Sequence, residues 1–462
     1  MTISLIIVIS TITFFRNITN FPLRNWDEAW YAEIIKNMAS GKYGYLMPFW
    51  NGRYYFDHEP LYFWLSAPIV KLFGPGEWQV RFVSAVAAVT STVLIFLIGK
   101  KIKDEKLGFF SAVVFLTMGQ VVIRFAHGNL DSLLTALFLA SFYFYLKSVK
   151  QKFPYSIFLG ITLGLGMLVK SWGIGLFPLF LIFIYSFTKN NRLPKNLTII
   201  IPIALAAVSL WYIPGFLKFG NTFISWYLFN PSEGRLSTPF QNFSLSYFKA
   251  LIRDIGFWFI PIFLFALTNL KKIKKPDTRL LLPLILVSLT YIFFLNFLKD
   301  KSDWYNIPAY PLIAIIVGYL IHQLHTGRQK IIYSIIIFVV ILLQIYNINR
   351  IENIHPDRSH VGAELGIRAK NLIPQGSNVI LDDPDFTSFL YYSNQEAVYT
   401  LEDNQKSEFA EWWKIKHEDL PNFVKDNTNV WVVTPNVNSL PAQTSPEQII
   451  NSLSGYNFIK LN

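Results

Sequence analysis

Three acidic groupings in this sequence have the residue types and spacing for proton-transfer chemistry. The first is Asp27-Glu28, followed by Ala29-Trp30-Tyr31-Ala32-Glu33. The second is Asp57-His58-Glu59, in the run Arg53-Tyr54-Tyr55-Phe56-Asp57-His58-Glu59-Pro60-Leu61. The third is Asp131, which follows Arg124-Phe125-Ala126-His127-Gly128-Asn129-Leu130. Carboxylates with histidines nearby suit two tasks: moving a proton to or from a reacting hydroxyl, or holding a divalent ion. Asp57 and His58 are the pair for a divalent metal ion. Thiolate chemistry, disulfides and cysteine metal sites are excluded, because the chain has no cysteine.

The same residues have structural readings. Asn25 and Glu28 fit a capping box, and Asp27 suits the positive end of a helix. Glu59-Pro60 fits the start of a further helix. His127 fits a solvated interfacial side chain. A capped helix is also a rigid mount for a carboxylate, so both readings can hold together.

The elements that must position these groups are membrane elements. Of 462 residues, 52% are hydrophobic and only 15% charged, against about 25% charged in soluble domains. The apolar residues gather in runs long enough to cross a bilayer as helices. The expected spans are 2–16, 79–99, 107–124, 130–147, 154–169, 172–188, 197–213, 251–269, 280–298, 308–323 and 331–348, about eleven in all. The first reads as a retained helix, since it has no basic start or cleavage site.

Net charge is +12. The excess sits in short loops: Lys100, Lys101, Lys103 and Lys106; Lys147, Lys150 and Lys152; Lys189, Arg192 and Lys195; Lys271 to Arg279; Arg328 and Lys330. Every second loop is basic, which marks those loops and the N-terminus as cytoplasmic and points to membrane lipids, not nucleic acid, as the partner. Loop 17–78, loop 214–250 and everything after about 349 then lie outside. In loop 17–78, segments 27–39 and 60–72 read as amphipathic helices on the membrane surface, ended by Gly41 and Gly74.

The division expected is a membrane domain over 1–349 and an extracytoplasmic soluble domain over 350–462. In the tail the apolar runs shorten to strand length at 379–381, 397–399 and 430–433. Helical patterns fall near 360–372, 385–392, 405–418 and 446–453. That alternation predicts a small α/β domain.

At these residues the sequence resembles the bacterial lipid-linked-sugar glycosyltransferases of the protein mannosyltransferase and aminoarabinose transferase type, with the GT-C architecture. Asp27-Glu28-Ala29-Trp30-Tyr31-Ala32-Glu33 is similar to the family's opening Asp-Glu helix. Pro48…Asn51-Gly52…Tyr55-Phe56-Asp57-His58-Glu59-Pro60-Leu61 is similar to its next stretch. Arg81, Gly164-Leu165-Gly166-Met167-Leu168-Val169-Lys170 and Lys301…Trp304-Tyr305-Asn306-Ile307-Pro308-Ala309-Tyr310-Pro311 follow in the family's order. Two departures stand out. His58-Glu59 replaces the family's Lys-Pro, and Asn230-Pro231-Ser232-Glu233-Gly234-Arg235-Leu236 lacks a metal-binding His of the aminoarabinose branch.

The resemblance implies an integral membrane glycosyltransferase of the cytoplasmic membrane. It would move a sugar from a polyprenyl-phosphate donor to a glycolipid, protein or glycan acceptor on the outer face. Asp27 would be the catalytic acid or base, with Glu28 and Asp131 as the accompanying catalytic carboxylates. Arg81, Lys170, Lys301 and Tyr305 would bind the donor phosphate, and His58, Glu59, Arg53 and Tyr55 the substrate. A transporter or flippase is the alternative. It predicts ionisable groups near the bilayer midplane, and the expected spans hold few charges away from their ends.

Overall fold

The computed structural model describes residues 2–149, 154–170, 175–190, 196–229, 243–269, 281–298, 302–325, 330–352, 359–384, 386–402, 411–437, 440 and 449–462. The chain divides into two compact units. One comprises Met1–Ile18, Arg81–Pro214 and Pro239–Pro356. The other comprises Thr19–Val80, Gly215–Thr238 and Asp357–Asn462.

The first unit is helical. Six described helices are long and apolar enough to cross a membrane: Glu77–Ile102, Leu130–Ser148, Leu197–Phe219, Ser246–Leu267, Asp303–Leu324 and Lys330–Arg350. The pair Glu105–Leu116 and Gly119–Phe125, bent by 68°, makes a seventh if taken as one span. The other four expected spans correspond to the shorter apolar helices Thr2–Phe15, Pro154–Met167, Phe177–Thr188 and Leu282–Leu295. The expected count of eleven therefore becomes six or seven by length and composition. The basic residues of 150–152, 192–195, 271–279 and 328 lie outside the described residues.

The bend in the 107–124 span has a local cause. The Thr117 hydroxyl donates to the carbonyls of Val113 (2.9 Å) and Val114 (3.1 Å), and it accepts from the Trp258 indole N–H (3.0 Å). A threonine bonding back to its own helix competes with the backbone ladder and helps end it there. Hydropathy averages over that interruption, so the run reads as continuous.

Close helix packing in this unit uses small residues, as expected where lipid supplies no hydrophobic drive. A Cβ on Gly318 would lie 2.5 Å from Ser111 Oγ and 2.7 Å from its backbone nitrogen. The 251–269 span begins earlier than expected, at Ser246, so Arg253 and Asp254 lie farther from its start. Asp254 is fully buried, pairs with Arg253 at 3.0 Å and accepts from the Tyr310 hydroxyl. This ion pair is closed within the helix packing, as intramembrane charges must be.

In the second unit, the 19–80 segment packs as one body with 215–238 and the tail. The helix Asp27–Ser40 ends at Gly41 in the left-handed conformation (φ 72°). It is not a half-exposed surface helix: Glu28, Ala29, Tyr31 through Ile35, Met38 and Ala39 are buried. The helices Leu61–Phe73 and Phe386–Ser393 pack on it. Periodicity in 27–39 reports the polarity of its side chains, but not that a tail helix covers the second face.

The segment between these helices forms a hairpin of β1 (Phe49–Trp50) and β2 (Arg53–Tyr54). Its turn is Asn51-Gly52, both at positive φ (48° and 80°), as a tight two-residue hairpin requires. The Asn51 amide then acts as a strand partner. Its Nδ2 donates to the Val398 carbonyl (3.1 Å) and its Oδ1 accepts from the Val398 N–H (2.7 Å). Asn51 is 2% exposed, so its loss strands two buried backbone groups. Asn51→Ala is expected to destabilise the protein by about 2–4 kcal/mol, from those groups and a disfavoured left-handed alanine. The measurement is the thermal unfolding midpoint in detergent.

The tail is an α/β unit. Its sheet has six strands: β3 (Asn378–Leu381), β4 (Val398–Leu401), β5 (Lys414–Ile415), β6 (Val430–Thr434), β7 (Ile449–Leu453) and β8 (Tyr456–Lys460). Their order is β5-β4-β3-β6-β8-β7. The first four in that order run parallel, and β8 and β7 are added antiparallel. Ile380, Val430, Val432 and Ile459 lie at its core, fully buried. The expected strands near 379, 398 and 430 and the helices Ser359–Leu372 and Phe386–Ser393 are present.

Residues 405–410 of the expected 405–418 helix lie outside the described residues, and its described remainder holds β5 and the start of a 3₁₀ turn at His417–Asp419. The described part of the expected 446–453 helix, Ile449–Leu453, is the strand β7, because Ser454-Gly455, both at positive φ, turn the chain onto β8. Strand pairing there overrides a local helical pattern.

Candidate active site

Asp27 opens the helix Asp27–Ser40, at the end where unpaired backbone N–H groups favour negative charge. It is half-buried, whereas Glu28 is 2% exposed. Glu28 Oε2 accepts the Arg24 N–H at 2.7 Å, so it fastens the chain that enters the helix. The expected capping box is not formed: the residue before Asp27 is Trp26, and no side chain caps the helix there. Asn25 instead turns its amide to the tail, where its Oδ1 accepts from the Thr387 hydroxyl and from the Ser388 N–H. Trp26 sits at φ 63°, ψ −121°, a costly backbone position for a bulky residue and one that clusters at functional sites.

Farther along the same helix, Glu33 is buried beside Lys36, at 2.6 Å. Burial pushes its pKa above the ordinary carboxylate value, and the Lys36 charge partly opposes that.

The second acidic group is held by an element the sequence reading did not connect with it. The helix Asn221–Phe229 supplies Trp226, whose indole N–H donates to Asp57 Oδ1, and Tyr227, whose hydroxyl donates to Glu59 Oε1. Asp57 is 6% and Glu59 0% exposed. His58 is half-buried; its Nε2 lies 3.4 Å from the Tyr31 hydroxyl. Tyr55 is buried against Trp30. Arg53 is exposed, with its guanidinium 5.3 Å from the Trp412 ring centroid.

A divalent ion needs several convergent hard ligands. Among the described residues no group of three His, Asp or Glu side chains is placed to hold one. Asp57 Oδ1 is already engaged by Trp226. The pair Asp57–His58 does not by itself fit a metal centre. The 230–236 stretch lies outside the described residues.

In the first unit, Asp131 lies in the first turn of the helix Leu130–Ser148, 2% exposed. Asn129 caps that helix: its Oδ1 accepts the Ser132 N–H at 2.8 Å, while its Nδ2 donates to the carbonyls of Arg124 and His127. The cap thus braces the turn that carries Arg124. Lys170 Nζ lies 2.8 Å from Asp131 Oδ1, and Arg124 Nε 3.7 Å from Oδ2.

Both cations also meet aromatic faces: Arg124 over Trp304 at 4.2 Å, and Lys170 over Tyr305 at 5.0 Å. The Tyr291 hydroxyl donates to the Tyr305 carbonyl at 3.0 Å. Two cations on one buried carboxylate leave a net positive patch walled by aromatic rings. Such a patch is chemically suited to a phosphate. Arg124, beyond the bend after Thr117, joins Lys170 on Asp131, and hydropathy does not report that bend.

Arg81 is 1% exposed, and its guanidinium donates to the Ile18 carbonyl at 3.2 Å. It ties the chain leaving the helix Thr2–Phe15 to the helix Glu77–Ile102. Lys301 lies outside the described residues.

Comparison with known proteins agrees with this architecture. Residues 57–213 match the family model described as dolichyl-phosphate-mannose-protein mannosyltransferase. An uncharacterised protein of Aquifex aeolicus is 25% identical over 351 residues, covering 73% of this chain and 68% of that protein. The undecaprenyl phosphate-alpha-4-amino-4-deoxy-L-arabinose arabinosyl transferase of Wigglesworthia glossinidia brevipalpis is 27% identical over 318 residues, 66% of this chain but only 56% of that relative. The crystal structure of ArnT from Cupriavidus metallidurans bound to undecaprenyl phosphate superimposes with a TM-score of 0.77 at 13% identity, over 99% of this chain and 97% of that one. That likeness is one of fold. The chain thus resembles these transferases over part of its sequence and shares the fold of ArnT, with six described helices long and apolar enough to cross a membrane.

Proposed function

We propose that this chain transfers a sugar from a polyprenyl-phosphate donor to a hydroxyl of a glycolipid, protein or glycan acceptor, with Asp27 as the general base. The acceptor oxygen forms a bond to the sugar's anomeric carbon as that carbon's bond to the phosphate oxygen breaks. The hydroxyl proton passes to Asp27, because a neutral hydroxyl is a poor nucleophile. The leaving polyprenyl phosphate takes the electron pair, and Lys170 and Arg124 stabilise its charge. Tyr305 and Trp304 hold those two cations by their ring faces. Asp131 orients Lys170 and Arg124 and takes no proton in this scheme. Glu28, Glu59 and Tyr55 support the site from buried positions, while the half-buried His58 and the exposed Arg53 contact substrate.

The observation that carries this reading is the contrast between two adjacent carboxylates. Glu28 is buried on the Arg24 N–H, while Asp27 stays half-exposed at the positive end of its helix. The test is the mass of the glycan or glycolipid lost on deletion of the gene. Wild-type protein should restore it and Asp27→Asn should not.

The basic loops support an outward-facing tail. A reporter fused after residue 349 should report the outer side of the cytoplasmic membrane, and a cytoplasmic signal would overturn that orientation. A transporter or flippase reading is not favoured: the buried ion pair found inside a span, Arg253–Asp254, is locked by Tyr310 and Asp303.

A further inference from the structure

Four consecutive backbone N–H groups lead into Asp27, and each donates to a side chain. The Leu23 N–H donates to the Tyr392 hydroxyl (3.0 Å), Arg24 to Glu28 (2.7 Å), Asn25 to Ser359 Oγ (2.8 Å) and Trp26 to Thr387 Oγ1 (2.6 Å). Three of these four acceptors belong to the tail.

Thr387 is the centre of the arrangement. Its hydroxyl accepts from the Trp26 N–H and donates to Asn25 Oδ1, so one oxygen joins two successive residues of the turn. Asn25 Oδ1 also accepts the Ser388 N–H (3.2 Å), and its Nδ2 donates to the Pro384 carbonyl (3.0 Å). Thr387, Ser388 and Ser359 are fully buried. The Trp26 ring packs edge-on against Phe386.

What these bonds hold is the positive-φ conformation of Trp26, the residue whose dihedrals aim the first turn of the helix and with it Asp27. A strained residue persists only where its surroundings over-determine it. Here the surroundings are the hydroxyls of Thr387 and Ser359.

We propose that Thr387, with Asn25, is a positioning residue for the transfer reaction: the tail domain fixes the Trp26 turn through the Thr387 hydroxyl and so holds Asp27 in its working geometry. This rests on Asp27 being the catalytic base. The tail is thereby part of the catalytic machinery without contributing a reacting group. Misplacing a catalytic group by an ångström can cost on the order of 100-fold in rate.

The experiment compares Thr387→Val, Thr387→Ser and Asp27→Asn in the full chain. Each is purified in detergent and assayed with undecaprenyl-phosphate-linked 4-amino-4-deoxy-L-arabinose, using membranes of the deletion strain as the acceptor source. Should that donor be inert, the rate of restoration of the missing glycan in cells is the readout. Valine keeps the shape and removes the hydroxyl; serine keeps the hydroxyl.

Thr387→Val should lower kcat by roughly 10–100-fold with donor KM unchanged, and Thr387→Ser should return most of it. If Thr387→Val loses folding, Asn25→Asp keeps the acceptor oxygens for Thr387 and Ser388 and should retain transfer where Asn25→Leu does not. Wild-type kcat in a folded Thr387→Val protein, with Asp27→Asn inactive, would overturn the positioning role alone. An active Asp27→Asn protein would overturn the catalytic assignment beneath it. Equal loss in Thr387→Val and Thr387→Ser would also count against the hydroxyl.

Discussion

Asp27→Asn is expected to lower sugar transfer by a factor of at least about 100, the usual contribution of a general base, while expression and thermal midpoint stay near wild type. The amide keeps the size of the carboxylate and its place in the first helical turn, but cannot accept the acceptor's proton. Asp27 is half-buried, so the change alters a side chain that keeps partial contact with solvent. Glu28→Gln should behave in the opposite way. Glu28 is 2% exposed and holds the Arg24 N–H, so its replacement should shift the melting temperature more than the chemistry. The pair of measurements, transfer rate and thermal midpoint on both variants, separates the base from its support. Wild-type transfer by a folded Asp27→Asn protein would leave the chain without its proposed base.

Lys170→Met should do two things at once. Asp131 is 2% exposed, and losing Lys170 removes the closer of its two cations, leaving Arg124 at 3.7 Å. Breaking a buried pair from one side typically costs about 3–5 kcal/mol. If Lys170 also stabilises the leaving phosphate, transfer should fall by a further factor of about 100–1,000.

The double variant Asp131→Leu with Lys170→Met separates the two effects. Replacing both partners by apolar groups is often neutral for stability, so the thermal midpoint should recover. Transfer should not, because the cation is still missing. A double variant that regains both stability and transfer would make the pair purely structural and move the phosphate role elsewhere.

Much of this protein was legible along the chain because it rests on local chemistry. Long apolar runs marked the membrane helices, and Gly41 and Gly74 marked the ends of the two helices that follow Asp27 and Pro60. Three short apolar runs marked β3, β4 and β6. The acidic groups at Asp27, Asp57 and Asp131 stood out by residue type alone.

Other features depend on segments far apart in sequence. Trp226 and Tyr227 occupy Asp57 and Glu59 from about 170 residues away. Arg124, beyond the bend after Thr117, joins Lys170 on one carboxylate. The 446–453 segment has a helical pattern, yet its described part, Ile449–Leu453, is β7 because β8 offers it a ladder. Local sequence states a preference of a few tenths of a kcal/mol per residue, and pairing or burial readily exceeds it.

The sequence by itself determined that this is a multi-pass membrane protein with an acidic, aromatic segment near its start and an α/β tail. It also singled out Asp27 and Lys170, because charge is expensive near lipid and each survivor is noticeable. Only the tertiary structure decided that Glu28, Asp57, Glu59 and Asp131 are buried and that Asp27 is half-buried. It alone joined the tail to Asp27, through Thr387 and Asn25. Hydrogen bonds of that kind depend on two segments about 360 residues apart meeting within 3 Å, and no pattern along the chain records such a meeting.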